Sequence, residues 1–227
     1  MRSGTEFFLG HVDKLSDEEL LAPSALPTWT RAHVVGHLAR NAEALCRLTS
    51  WARTGVPSPM YASKEQRDAD IESSSRLPVA RLRSELVSTA ATLADDLDSL
   101  SEADWNAIVR SAQGREIQAS QIPWLRVREV WLHAVDLGAG ARVSDLPSGV
   151  LDALLGEVSG ALSGREGCPA AVLEATDRGG SRWRLGPDAV DAVTVRGSAA
   201  ELVGWLVGRS SLRAADGGEV PELPAWL

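Results

Sequence analysis

Residues 128–138 read REVWLHAVDLG, and this segment decides how the first half of the chain is understood. Glu129 and His133 are four positions apart, so a helix places the carboxylate and the imidazole side by side on one face. Such a pair is common on exposed helix surfaces. The other faces, however, carry the apolar residues Val130, Trp131, Leu132, Val135 and Leu137. The pattern therefore predicts a mostly enclosed helix, in which charged groups must pair or bind a metal.

One stripe of this helix is almost entirely ionisable. At about 100° per residue, the positions that share the stripe are Ile122, Arg126, Glu129, His133 and Asp136. Arg126 and Asp136 could support the neighbouring groups as hydrogen-bond partners, or they could form a simple salt bridge. The stripe therefore predicts a polar seam that is enclosed rather than exposed to water.

The segment TWTRAHVVGHLARNAEAL, residues 28–45, offers a partner helix. His33 and His37 are again four positions apart, and three of the chain's four histidines lie on these two helices. Two histidines and one carboxylate with an open fourth position are typical of a catalytic zinc site, although iron or another divalent ion would also accept them. We take His37, Glu129 and His133 as the metal ligands, with His33 near the site.

The composition narrows the class of function. The chain has 227 residues, is 44% hydrophobic and carries a formal net charge of −8. It can therefore build an ordinary core, and it is too acidic for a protein whose main partner is nucleic acid. No apolar run of about 18 residues predicts a membrane span, and the N-terminus turns acidic too early for a signal peptide. We expect a cytoplasmic, monomeric protein whose two cysteines, Cys46 and Cys168, are reduced thiols.

Four helical segments are predicted in residues 1–140. Their approximate bounds are residues 4–14, 30–53, 79–100 and 121–137. Gly55 and Gly138 suit two of the helix ends, and Pro123 suits the first turn of the last helix. Residues 56–76 read as a long polar loop with room for a short helix. Four such helices predict a bundle, which builds its sites from side chains on facing helices.

The pattern changes after GAGARVSDLPSG, residues 138–149, which is the predicted domain boundary. A helix over residues 147–162 precedes three strand-like runs, which are AAVLEAT, SRWRLG and DAVTVRG. The sequence DRGG between the first two runs indicates a hairpin. Ser198 and Glu201 form a capping box that opens a final helix. The predicted class is thus α+β, with a bundle over 1–140 and a small α+β domain over 147–227.

Several motifs together resemble one known family, the mycothiol-dependent maleylpyruvate isomerases. They are TWTRAHVVGHLARNAEAL, WARTGVPSPMY, SAQGR, WLRVREVWLHAVDLG and the C-terminal GEVPELPAWL. The helix motif alone is shared with the wider DinB-like superfamily, so the combination carries the resemblance. It implies a DinB-like four-helix bundle that holds zinc through His37, Glu129 and His133. It also implies a functional arginine that matches Arg209, which could otherwise be a helix C-terminal cation favoured by the macrodipole.

The resemblance further implies the conversion of maleylpyruvate to fumarylpyruvate in aromatic-acid breakdown. Rotation about the double bond needs a nucleophile to add and leave, and the thiolate of mycothiol at the open Zn²⁺ position would be that nucleophile. The substrate's carboxylates need cations, for which Arg209 and Arg126 are candidates. Three alternatives remain open: a mycothiol S-transferase, a zinc hydrolase that uses metal-bound water, and a metal-stabilised binding module without catalysis.

Overall fold

The protein is described by a computed structural model that covers residues 1–212 and 219–226. The chain divides into two compact units, Met1–Ala141 and Arg142–Leu227. The first unit is helical apart from one short hairpin, and the second combines helices with a small sheet. The predicted α+β class is therefore confirmed. None of the described helices is long and apolar enough to cross a membrane.

Seven helices and two strands form the first unit. In chain order they are α1 (Arg2–Val12), α2 (Asp17–Leu21), α3 (Arg31–Thr54), α4 (Lys64–Ser75), α5 (Val79–Asp98), α6 (Glu102–Trp105), β1 (Ile108–Arg110), β2 (Glu116–Gln118) and α7 (Ile122–Asp136). Helices α1, α3, α5 and α7 pack together as the predicted four-helix bundle, with α3 in contact with both α5 and α7.

Local chemistry sets the ends of the long helices. The Thr30 hydroxyl accepts a hydrogen bond from the His33 N–H, which satisfies one of the free donors at the start of α3. Gly55 ends the same helix with φ of 71°, a conformation that glycine adopts without strain. Pro123 lies in the first turn of α7. The ends of all four predicted helices agree with the structure to within two residues, including α1, which begins at Arg2 instead of Gly4.

Helix α4 and the hairpin β1–β2 were not predicted as such. Helix α4 lies where the sequence indicated a polar loop with room for a short helix. Its helical pattern is weak because Ile71 is its one large apolar residue. The hairpin β1–β2 pairs strands of only three residues each, too short to show an alternating pattern. Val109 and Ile117 of this hairpin are buried and belong to the hydrophobic core of the bundle.

Helix α4 crosses α3 at very close range. A Cβ atom added to Gly36 would lie 2.7 Å from the Cβ of Ser74, closer than real side chains approach. Because residue 36 is a glycine, α4 packs directly against α3 at the position just before His37. Glu72 of α4 also contacts His33 of α3, with 3.0 Å between Oε2 and Nε2.

Gly36→Ala is expected to lower the free energy of unfolding by about 1 to 2 kcal/mol. Overpacking costs about 1–3 kcal/mol, whereas the better helix propensity of alanine returns at most about 1 kcal/mol. Urea unfolding of the variant measures the difference. Gly10→Ala in α1 is the matched control, because its added Cβ meets no atom within 4 Å, and it should be neutral or stabilising. Equal behaviour of the two variants would contradict the close crossing.

In the described part of the second unit, two α-helices lie beside a three-stranded sheet. Its elements are α8 (Ser148–Ser163), β3 (Ala171–Ala175), β4 (Arg182–Leu185), β5 (Val193–Gly197) and α9 (Ala199–Leu206). The sheet order is β4-β3-β5, with β4 antiparallel and β5 parallel to the central strand. The predicted DRGG hairpin joins β3 to β4, and the Ser198–Glu201 capping box opens α9. Both predictions are confirmed.

Candidate metal centre

The three predicted ligands converge inside the bundle. His37 of α3 and Glu129 of α7 meet with 2.9 Å between Nε2 and Oε2. His133, one turn after Glu129, places its own Nε2 3.3 Å from the same carboxylate oxygen. The two imidazole rings lie edge to face, with centroids 4.7 Å apart. One side-chain donor atom from each residue thus falls within 4.8 Å of the other two.

The donor set fits a divalent metal ion. Ligand atoms about 2.1 Å from a tetrahedral zinc lie roughly 3.4 Å from each other, and the 2.9 and 3.3 Å nitrogen–oxygen distances are close to that spacing. Two imidazoles and one carboxylate are a common catalytic zinc set that keeps a fourth position open. Metal binding by His37, Glu129 and His133 stays a prediction, and the geometry agrees with it.

The electrostatics of the cluster favour the ligand forms of His37 and Glu129. Only 3% of His37 is exposed, and this burial lowers the pKa of the imidazole to about 4, so its nitrogen lone pair is available at neutral pH. Burial alone would raise the pKa of Glu129. The hydrogen bonds that it shares with His133 and His37 outweigh this effect and lower the pKa, which keeps the carboxylate ionised.

Asp136 supports His133 from the far side of the ring. The Nδ1 atom of His133 lies 2.9 Å from Oδ2 of the buried Asp136. Burial lowers the pKa of His133, but the contacts with Asp136 and Glu129 outweigh it and raise the pKa overall. A carboxylate that holds the second nitrogen of a metal-binding histidine fixes the orientation of the ring and makes it a better ligand.

Arg126 lies at the interface of the two ligand-bearing helices. Only 1% of the residue is exposed, and burial lowers the pKa of its guanidinium to about 10. Its Nη1 donates to the carbonyl oxygen of Leu38 and to Oδ1 of Asn41, both at 2.8 Å. These bonds tie α7 to α3 next to His37. The structure therefore places Arg126 on the predicted seam, with hydrogen bonds to protein groups.

His33 is near the cluster but is not one of the three converging residues. Its Nδ1 accepts from the backbone N–H of Thr30 at 3.2 Å, and its Nε2 contacts Glu72. The indole ring of Trp29 lies close to both histidines, with centroids 6.1 Å from His33 and 5.6 Å from His37. His33 thus caps α3 and anchors α4, two roles that its spacing from His37 could not reveal.

Two further features of the site were missed at the sequence level. The first is Arg128, whose Nη2 lies 3.7 Å from Oε1 of the adjacent Glu129. Thr28 has φ of 68°, an unusual conformation for a β-branched residue of the kind that clusters at functional sites. It precedes Trp29, in a loop tied to the end of α7 by the Ala25 N–H bond to the Asp136 carbonyl at 2.8 Å. The sequence signal for this unusual loop was the TWTR motif, in which Thr28 precedes Trp29.

Arg209, the candidate in the second unit, lies just after α9. Its Nη1 donates to the carbonyl oxygen of Val207 at 2.5 Å. The predicted role of Arg209 toward a substrate stays a prediction.

Comparison with known proteins gives one consistent family. A family model described as the mycothiol maleylpyruvate isomerase N-terminal domain matches residues 1–138, and the corresponding C-terminal domain model matches residues 145–225. A crystal structure of a mycothiol-dependent maleylpyruvate isomerase is 38% identical, with a TM-score of 0.93, and the match covers 99% of this chain and 93% of that one.

A variant of that isomerase with one histidine replaced by alanine is similar as well. It is 37% identical, with a TM-score of 0.92 over the same shares of the two chains. No curated protein matches the sequence significantly.

Proposed function

The chain belongs to the mycothiol-dependent maleylpyruvate isomerase family, and from this premise we propose that it isomerises maleylpyruvate to fumarylpyruvate with mycothiol as its thiol cofactor. The observation that carries the proposal is the convergence of His37, Glu129 and His133 in a chain that matches the family over nearly its whole length. These three residues would hold the metal, which we propose to be zinc.

A borrowed thiol suits the chemistry of this chain. When bound, a divalent ion lowers the pKa of a thiol that ligates it, and so supplies a thiolate near neutral pH. The protein's own thiols are poor substitutes. Burial, with help from Asp96, raises the pKa of Cys46 to about 12, and burial also raises the pKa of Cys168. Isomerisation about a carbon–carbon double bond needs a nucleophile, and neither cysteine is ionised to serve as one.

The remaining residues of the seam prepare the ligands. Asp136 orients His133, and Arg126 holds α7 against α3 so that Glu129 stays opposite His37. We propose that Arg126 acts through this positioning, whereas Arg209 remains our candidate for contact with a substrate carboxylate. The cytoplasmic location and monomeric state stay predictions from the sequence.

Isomerisation should require the metal and the thiol together. The purified protein, loaded with zinc and given mycothiol, is expected to consume maleylpyruvate and form fumarylpyruvate. Removal of zinc with a chelator, or omission of mycothiol, should each abolish the reaction, and zinc added back should restore it. The measurement is the absorbance of maleylpyruvate over time, with product identity checked by chromatography.

The same assay separates the alternatives. Conjugation of mycothiol to a general electrophile without loss of maleylpyruvate would replace the isomerase with an S-transferase. Metal-dependent hydrolysis of ester or amide substrates without thiol would indicate a zinc hydrolase. Zinc binding with neither activity would leave a metal-stabilised binding module.

A further inference from the structure

One face of α4 carries a cation toward the metal cluster. Arg67, Ile71 and Ser74 are spaced i, i+4 and i+7, so they share one side of this helix. Ile71 and Ser74 are buried, and Ser74 is the residue that meets Gly36 at the close crossing with α3. Arg67 therefore continues the α3-facing side one turn further, and 30% of its side chain is exposed.

Tyr61 holds the Arg67 side chain in place. The guanidinium carbon of Arg67 lies 5.8 Å from the centre of the Tyr61 ring, within the range of a cation–π interaction. Tyr61 itself packs against the bundle core, and Arg47 fixes the preceding residue by donating from Nε to the Met60 carbonyl at 2.9 Å. The guanidinium thus rests on a ring that is itself anchored.

The close crossing of α4 and α3 lies at Gly36, the residue before His37, so the α3-facing side of α4 that carries Arg67 runs next to the cluster. Electrostatic effects agree with this placement. Burial is the main cause that raises the pKa of Tyr61, the charge of Arg67 opposes it, and the carboxylate of Glu129 adds to it. The charge of Arg67 also helps to lower the pKa of His37, after burial and His133. Arg67 and Tyr61 therefore act on the same small region as the proposed ligands.

The charge of Arg67 is only weakly used within the described part of the chain. Its Nη1 pairs with Oδ1 of the neighbouring Asp68 at 2.9 Å, and about half of the Asp68 side chain is exposed. Exposed pairs of this kind contribute little. This bond and the hydrogen bond that Arg67 shares with Tyr61 leave further N–H donors among the five that a guanidinium carries. A second carboxylate can therefore bind to the planar fork that arginine presents.

We propose that Arg67, held by the Tyr61 ring, binds a carboxylate of the dianionic substrate beside the metal cluster. The inference rests on the proposed function and adds a specificity-determining residue to it. Arg67 selects an acidic electrophile, while the thiol and metal chemistry stays with His37, Glu129 and His133. A neutral electrophile makes no use of this cation.

The test compares Arg67→Met with Arg67→Lys and with Lys64→Met. Methionine keeps an apolar stem over Tyr61 and removes the charge, whereas Lys64 is an exposed cation at the start of the same helix. For Arg67→Met we expect KM for maleylpyruvate to rise about 10- to 100-fold, the range that one charge-assisted hydrogen bond supplies. Zinc content and mycothiol conjugation to a neutral electrophile should not change. Arg67→Lys should recover part of the loss, and Lys64→Met should behave as wild type.

Calorimetry with maleate on the zinc-loaded proteins separates this inference from the proposed function. We expect maleate to bind the wild type tightly and Arg67→Met at least tenfold more weakly. This result supports the role of Arg67 even if no isomerisation occurs, and only the proposed function would then be wrong. Equal maleate binding and equal KM would overturn the role of Arg67. An equal loss of isomerisation and of neutral conjugation would also overturn it, because Arg67 would then act on the metal or the thiol.

Discussion

Glu129→Gln is expected to lose the bound metal and to lower isomerisation by more than about 100-fold. Changes to residues that merely support a metal ligand already cost about 10- to 100-fold in affinity, and Glu129 is the anionic member of the set. Its Oε2 is the atom on which both histidines converge. His37→Ala and His133→Ala should have the same effect, since each leaves two ligands. Zinc per chain, measured by emission spectroscopy, and the isomerisation rate report the two losses.

Glu72→Gln is the matched control for this experiment. Glu72 contacts His33 at 3.0 Å, much as Glu129 contacts His37, but the pair lies outside the converging set. It should keep full zinc content, with a small loss of stability from the weakened contact between α4 and α3. Unchanged zinc in Glu129→Gln or in His133→Ala would show that the ligand set is wrong.

Arg126→Ala is expected to destabilise the fold by about 3 kcal/mol. The substitution leaves the Asn41 amide oxygen buried without its donor, at about 1–3 kcal/mol, removes the second hydrogen bond to the Leu38 carbonyl, and opens a cavity. Relief of the desolvated charge offsets part of this loss. For a chain of this size the melting temperature should fall by about 6–12 °C. Zinc affinity should fall as well, because α7 is less firmly held against α3.

A double-mutant cycle tests the reason for the loss. Arg126→Met with Asn41→Leu replaces both partners of one buried hydrogen bond by apolar groups, a change that can be nearly neutral. The double variant should therefore be less destabilised than the sum of its single variants. If Arg126→Ala keeps its stability and zinc but raises KM for maleylpyruvate, Arg126 contacts the substrate instead.

The ligand-bearing helices could be predicted because their signals are local. Glu129 and His133 share a face at four-residue spacing, and the apolar faces around them indicate burial. His37 followed because the chain has only four histidines, three of which lie on these two helices. The same local reasoning placed Arg126 on the seam. It could not show which groups accept its hydrogen bonds, since Leu38 and Asn41 are more than 80 residues away.

Helix α4 shows why the rest was harder to predict. Its sequence is mostly polar, and the side that faces α3 depends on one isoleucine, one small serine and a glycine from another helix. Because this contact depends on small residues, the sequence shows almost no hydrophobic periodicity at α4. The position of Arg67 next to Tyr61, and of both near the cluster, follows from that packing alone.

The proposed metal ligands come from distant parts of the chain, since His37 and Glu129 are 92 positions apart. A bound ion would therefore act as a reversible crosslink that closes a long loop. The unfolded chain keeps only the local Glu129–His133 pair, so the ion binds the native state far more tightly. Above its dissociation constant, each tenfold rise in free ion adds about 1.4 kcal/mol to the free energy of unfolding. The folded fraction of this protein would thus depend on the metal supply of its surroundings.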